Sequence, residues 1–370
     1  MKKIKILFTI PNFNTAGSGK VLLDIASNLD PQKFDVHICC FHDKGDFFKV
    51  VKDQGFPVHL FKFSTDVKLN LKNLKEFFQI IFFFKKHKFD VIHSWHWSSD
   101  FTEPLAAKLA GSKWLYTKKA MSWGHRNWKI KSFLADKIIT INDEMETAFF
   151  SGNKNVSLIP LGLDIDYYKP LPKDQELLKK INIEEKDFVI VSIANMVPVK
   201  GIEILIDAIE LLKQKVPKIK VFLVGEDNNE YGAFLKKKVK DLGLGEQIKF
   251  IGKILDVRPY HSIADVFVIP TKDEGRKEGM PMAPVEAMAA ETLVLGSRIS
   301  GVKYILKDFP ELLFNASSVQ NLYEKLIWVK EMDNAKKDEL KKSLRDKVAN
   351  EYNMELFIKN HENIYKEISS

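Results

Sequence analysis

The sequence predicts an α/β protein made of two doubly wound parallel-sheet domains. Three observations carry this. Strand-like apolar runs alternate with helix-like ones along the chain. The 370 residues are too many for one ordinary core. A stretch dense in proline and glycine, from Pro160 to Pro172, interrupts the alternation near its middle. Open sheets of this kind bind ligands outside the carboxyl ends of their strands, so two sheets with converging carboxyl edges would place a site in the cleft between them.

Taken in order, Ile4 to Ile10 reads as a strand, Asn12 to Gly19 as a small-residue loop and Lys20 to Leu29 as a helix. Strands follow at Asp35 to Phe41, Val58 to Phe61, Asp90 to His93, Trp114 to Thr117, Ile138 to Ile141 and Val156 to Ile159. Helices fill the gaps at Leu69 to Lys88, Thr102 to Ala110 and Glu144 to Phe150. The expected N-terminal domain is 1–163, with a linker over 164–173. A second series then places strands at Phe188 to Ile193, Lys220 to Val224, Ile248 to Ile251, Val266 to Ile269 and Leu293 to Leu295. Its helices are Ile202 to Lys215, Tyr231 to Leu242 and about Ala283 to Ala290, with further helical stretches at Ser318 to Met332, Asn334 to Ala349 and Leu356 to Ile368. The expected C-terminal domain is 174–350, and 351–370 is a terminal helix expected to pack back on the N-terminal domain.

Composition narrows the class. Apolar residues at 45% and charged residues at 29% are ordinary for a globular protein and exclude disordered, collagenous and fibrous classes. Lys and Arg number 57 against 49 Asp and Glu, a net charge of +8, which favours phosphate-bearing partners without choosing among sugar nucleotides, nucleic acid and anionic membrane. The cysteines, Cys39 and Cys40, are adjacent on a predicted strand and offer no disulfide framework, which fits a reducing cytoplasm. The N-terminus is basic and then apolar but lacks a small-residue cleavage pattern, so it reads as a first strand.

The most informative stretch is Glu278-Gly279-Met280-Pro281-Met282-Ala283-Pro284-Val285-Glu286-Ala287. It reads as a loop entering a helix, with Pro284 suited to the first helical position and Glu286 in or near the first turn, where it either caps the helix or serves a ligand. Unpaired amides and the positive dipole end at such a junction suit phosphate. Other motifs fail. Gly17-Ser18-Gly19 lacks the third glycine of a dinucleotide fingerprint, because residue 22 is Leu22, and Gly19-Lys20-Val21 lacks the Ser or Thr of a phosphate loop. What remains is either a plain tight turn or a compact loop that lets a ligand approach the backbone closely. Asp164-Ile165-Asp166 has the spacing of a metal pair but lies in the linker. His93 and His96, interleaved with Trp95 and Trp97, are a weak metal signal and either line an acceptor pocket or simply end a strand. The pair Glu278 and Glu286 also suits a glycosidase, although hydrolysis does not need two such domains.

Three ordered motifs together resemble the retaining, nucleotide-sugar-dependent glycosyltransferases with the two-domain GT-B fold, the group called family 4. They are Glu278 to Ala289, Asn195-Met196-Val197-Pro198-Val199-Lys200-Gly201, and Ile159 to Asp164 with Tyr168-Lys169-Pro170. Gly225, Gly252 with Asp256, and Asp265 to Pro270 fall in the same register. The resemblance spans about residues 156 to 300 and, more loosely, the first strand, loop and helix. It implies two Rossmann-like domains across a cleft and transfer of a hexosyl unit with retention from a nucleotide-diphosphate sugar, with no metal and no cofactor. It further implies that Glu286 accepts from the nucleotide ribose, that Glu278 contacts the transferred sugar, that the amides near Gly279 and Met280 support sugar or phosphate, that Asn195 and Pro281 also lie on the donor side, and that Lys200 sits on the diphosphate. A fixed cation and helix-end amides would then stabilise the leaving group. The chain departs from the pattern at Asn195, where the family usually has arginine. Lys272, Arg276, Lys277 and Arg258 are the candidate substitutes. After the strand at Trp114 to Thr117 the family's histidine is replaced by Lys118 and Lys119. Gly17, Ser18, His93, His96 and Lys119 are the expected acceptor side.

The helix Leu69 to Lys88 is too charged to span a bilayer. Lys68, Lys72, Lys75, Gln79, Phe82 and Lys86 share one face, with Leu74, Phe77, Ile81 and Phe84 opposite. A phenylalanine on a lysine face suits an anionic membrane surface. A second basic and aromatic stretch runs from Trp114 through Lys118, Lys119, Trp123, Arg126, Trp128, Lys129 and Lys131. The expectation is a peripheral enzyme at the inner face of the cytoplasmic membrane, acting on a glycan or lipid-linked acceptor in cell-envelope polysaccharide synthesis. No specific nucleic-acid module is present. The rival readings are a sugar-nucleotide epimerase or phosphorylase on the same fold and a non-catalytic nucleotide-sugar binder.

Overall fold

The computed structural model describes the chain apart from residues 1, 15, 16, 67–69, 123, 185, 276 and 277. It divides into two compact units, Met1–Leu161 with Glu355–Ser370, and Gly162–Met354. Each is a parallel sheet flanked by helices, the α/β class expected.

The first unit holds β1 (Ile4–Thr9), β2 (Phe34–Cys40), β3 (Val58–Leu60), β4 (Val91–Ser94), β5 (Lys113–Lys118), β6 (Lys137–Thr140) and β7 (Val156–Leu158), in the order β3-β2-β1-β4-β5-β6-β7. Ile6, Leu7, Phe8, Ile38, Val91, Ile92 and Ile138 are fully buried, as strands covered on both faces require. The direction of strand succession reverses between β1 and β4. The last helix, Met354–Ser369, belongs to this unit, and its Tyr365 packs edge-on against Phe8 and Phe34.

The second unit holds β8 (Phe188–Ile193), β9 (Ile219–Val224), β10 (Ile248–Gly252), β11 (Val266–Ile269), β12 (Leu293–Ser297) and β13 (Leu313–Phe314), in the order β10-β9-β8-β11-β12-β13. Its reversal point lies between β8 and β11. Side-chain N-caps fix where its helices begin. Asp174 accepts from the Leu177 amide at 2.9 Å, Asn229 from Gly232 at 2.9 Å and Asp333 from Lys336 at 2.9 Å.

Several elements depart from expectation. Short helices at Asp46–Asp53, Asn127–Leu134, Gln175–Lys180, Arg258–Ile263 and Ser300–Ile305, and the two-residue β13, carried too few turns or alternations to show as periodicity. The helix Asn127–Leu134 also recasts the second basic and aromatic stretch. Trp114, Tyr116, Lys118 and Lys131 are core rather than surface, with the Lys131 ammonium 4.8 Å from the Trp128 ring centroid. Burial pushes the Lys118 and Lys131 ammonium groups down to about 8. Trp123 lies outside the described residues.

Candidate active site

In the second unit the reversal point brings together the two segments the sequence singled out. β8 leads into Ala194-Asn195-Met196-Val197, which is anchored by Ala194 N–H donating to Val224 O at 2.9 Å and Met196 N–H to Glu226 O at 2.8 Å. Met196 is fully buried, whereas Asn195 is exposed. A single 3-10 turn, Pro198–Lys200, ends at Gly201 in the left-handed region (φ 64°), and the helix Ile202–Leu212 begins there. A Cβ on Gly201 would lie 2.2 Å from the Pro270 carbonyl, and one on Gly225 2.0 Å from the Ala194 carbonyl. The exits of β8, β9 and β11 therefore touch backbone to backbone, an approach that only glycine permits.

Lys200 projects from this turn onto Glu278, which follows the exit of β11, and the two form an ion pair with only about a fifth of each side chain exposed. Glu278 Oε2 is buried and has no hydrogen-bond partner among the described residues. A buried carboxylate oxygen without a donor costs about 1–3 kcal/mol or more, so this atom is poised for a donor that arrives with a ligand. Gly279 lies against the start of the helix Ser300–Ile305, where a Cβ on Gly301 would come within 2.5 Å of the Gly279 carbonyl. Met280 is buried, and Pro281 is the N-cap of Met282–Ala289. The helix thus starts two residues ahead of Pro284, and no side chain caps it. Glu286, its fifth residue, is engaged elsewhere. Its carboxylate neighbours the Tyr168 hydroxyl, whose own ionisation is pushed upward by burial and then by that carboxylate. The backbone of Asp164 accepts from Tyr168 N–H at 3.1 Å, so the segment that opens this unit reaches the neighbourhood of Glu286.

Two of the four candidate replacements for the missing arginine, Lys272 and Arg258, are committed. Lys272 pairs with Glu203, which also accepts from the Tyr231 hydroxyl, and with Glu274 at 3.3 Å. The bond to Glu203 raises the pKa of Lys272. Arg258 grips Asp256 through Nε and Nη2 at 2.8 and 2.7 Å and stacks 3.8 Å from the Tyr167 ring centroid. Arg276 and Lys277 lie outside the described residues. Neither the Tyr168–Glu286 pairing nor the Glu203 cluster was foreseen. A tyrosine in the linker motif was the visible signal for the first.

In the first unit, Lys119, Ser18, Trp95 and Trp97 come together at the reversal point. Lys119 Nζ donates to Trp95 O at 2.7 Å and Ser18 Oγ at 3.2 Å, and lies 5.3 and 5.6 Å from the Trp95 and Trp97 ring centroids. His96 is nine-tenths buried, packs edge-on against Phe41 and Phe63, and is pushed down to about 3 by burial and then by Lys131. It borders a cavity of about 460 Å³ shared with Ser64, Thr65, Asp66, Asp100 and His125. Gly17 opens the helix Gly17–Asn28 in free space, and a Cβ there would meet nothing within 4 Å. His93 lies beneath this group, its ring centroid 5.5 Å from that of Trp95. It is fully buried, with Nδ1 2.7 Å from the Tyr365 hydroxyl and Nε2 2.9 Å from Thr117 Oγ1, and it anchors the last helix. Glu103, absent from the sequence reading, is fully buried beneath β1 and β4. It accepts from Thr9 Oγ1 at 2.5 Å and Ser94 Oγ at 2.8 Å, and burial raises its pKa.

A two-sheet Rossmann-like protein with a lysine–carboxylate pair at a sheet reversal point has the architecture of GT-B glycosyltransferases. Residues 173–347 match the family described as glycosyl transferases group 1, and residues 15–167 match Glycosyltransferase Family 4. The chain belongs to this glycosyltransferase family. It is similar to the UDP-Gal:alpha-D-GlcNAc-diphosphoundecaprenol alpha-1,3-galactosyltransferase of Escherichia coli, at 21% identity over 92% of this chain and 90% of that one. It is also similar to the capsular polysaccharide biosynthesis glycosyltransferase CapH of Staphylococcus aureus, at 24% identity over 82% of this chain and 85% of that one. Among solved structures, Anabaena Alr3699/HepE in complex with UDP superposes with a TM-score of 0.84 at 20% identity, covering 98% of this chain and all of that one.

Proposed function

We propose that the chain is a retaining, metal-independent hexosyltransferase that moves a sugar from a nucleotide-diphosphate donor to a glycan or lipid-linked acceptor in cell-envelope polysaccharide synthesis. It works peripherally at the inner face of the cytoplasmic membrane. The observation that carries the reading is Glu278 Oε2, without a hydrogen-bond partner among the described residues, beside Lys200 at the reversal point of the second sheet. In the bound state Lys200 turns to the diphosphate and supports the charge that grows on the leaving group, while Glu278 accepts from a hydroxyl of the transferred sugar. Glu286 accepts from the ribose. The activities of relatives support the acceptor class, since one uses a diphosphoundecaprenol-linked sugar and another serves capsular polysaccharide synthesis. The UDP bound to the Anabaena protein supports a uridine donor.

Thermal denaturation against a panel of UDP- and GDP-sugars, with a chelator present, tests this. At least one donor is expected to raise the melting temperature, because a ligand that binds only the folded state stabilises it. Glu286→Ala is expected to abolish the rise. Stabilisation that requires an added divalent ion, or full retention in the variant, would overturn the assignment.

A further inference from the structure

The helix Leu71–His87 stands against the exit of the edge strand β3 and leaves an aromatic groove open. Phe61 and Phe83 stack at its floor, with ring centroids 4.2 Å apart and planes inclined by 16°. Phe78 and Phe82 form its outer wall and are 60% and 68% exposed. Lys75, Gln79, Lys86 and His87 complete the lining, and the open volume is about 600 Å³. Leu60 on β3 and Leu71 and Leu74 at the head of the helix are exposed beside it. The sequence placed Phe82 on a lysine face. The structure adds Phe78, the floor pair and Leu74, which is exposed rather than core. Lys68 lies outside the described residues.

The charge of this surface is one-sided. Lys72, Lys75, Lys85 and Lys86 are exposed, and none holds an ion pair among the described residues. The helix carries one acid, Glu76, which is held by Lys62 Nζ at 2.9 Å and Thr65 Oγ1 at 2.7 Å. A contiguous exposed apolar patch marks an interaction surface. Lysine is depleted at protein interfaces but at a lipid interface can lay its stem on apolar surface and keep its ammonium among headgroups. Among the described residues no helix is long and apolar enough to cross a membrane, so contact through this surface is peripheral.

We infer that the face of Leu71–His87 bearing Phe78, Phe82, Lys75 and Lys86 docks on an anionic lipid surface, the two phenylalanines entering the interface and the lysines meeting headgroup phosphates. This deepens the membrane location proposed above and does not depend on the donor or the reaction.

Co-sedimentation of the full chain with phosphatidylcholine vesicles, with and without phosphatidylglycerol, tests it. At low salt the bound fraction is expected to be at least about tenfold greater with phosphatidylglycerol and to fall as salt is added. Phe78→Glu with Phe82→Glu is expected to abolish binding, and Lys75→Glu with Lys86→Glu to reduce it severalfold. All four side chains are exposed, so the fold is expected to persist, and the donor-induced rise in melting temperature serves as the control. A loss of vesicle binding with that rise intact separates the docking surface from the donor site. Three results would overturn the proposal: no sedimentation of the wild type with phosphatidylglycerol, sedimentation of the phenylalanine variant like the wild type, or a solution dimer dissolved by the same variant without vesicle binding.

Discussion

The Tyr168 hydroxyl neighbours Glu286, a pairing that the helix-start reading did not contain. Removing the hydroxyl takes one polar neighbour from the Glu286 carboxylate, at a cost on the order of 1 kcal/mol for a typical hydrogen-bonding group. Tyr168→Phe is therefore expected to weaken donor binding roughly threefold to tenfold, measured by titration calorimetry with the donor that the thermal screen selects. Unchanged affinity would mean that the hydroxyl does not orient the carboxylate. Lys200 and Glu278 were legible as candidates because motif and spacing put each at a loop after a strand. Their pairing was not, since 78 residues separate them and only the sheet order makes them neighbours. His93 was misplaced for the same reason. A histidine at a strand end reads alike whether it faces a ligand or a core, and its partner Tyr365 lies 272 residues away.

At the scale of elements, the strands were legible almost to the residue, because buried parallel strands are unbroken apolar runs bounded by turns. Most helices of one or two turns were not, as they bury too little of a stripe to repeat; Asp143–Phe150 and Met282–Ala289 are the exceptions. What also escaped the sequence was the work of glycines at strand exits. Gly225 adopts φ 144°, and a Cβ there would sit 2.0 Å from the Ala194 carbonyl. Gly225→Ala must push the Ala194–Val197 loop away, and with it the turn that presents Lys200. The expected result is a loss of about 3 kcal/mol in urea denaturation together with loss of donor-induced stabilisation. A variant as stable as the wild type would show that the loop accommodates the methyl group.

For the molecule as a whole, neutral histidines are sealed in both units. Burial holds His361 and His261 down to about 4 and His96 to about 3, and puts His93 well below its ordinary value. The unfolded chain titrates near 6.5, so between there and about 4 it takes up protons that the folded chain refuses. The contribution of these groups is complete above about pH 6.5 and is lost as pH falls toward 4. The urea midpoint is expected to be clearly lower at pH 5 than at pH 7.5, and an equal midpoint would contradict their burial as neutral rings. The first unit also closes late. Its sheet is encoded by residue 161, yet Tyr365 and His361, which seal it against Phe8 and His93, come from the final helix. On the ribosome that sheet waits roughly ten to forty seconds while the other unit is translated. During that interval a nascent N-terminal half exposes one uncovered apolar face, the period in which a chaperone has something to hold.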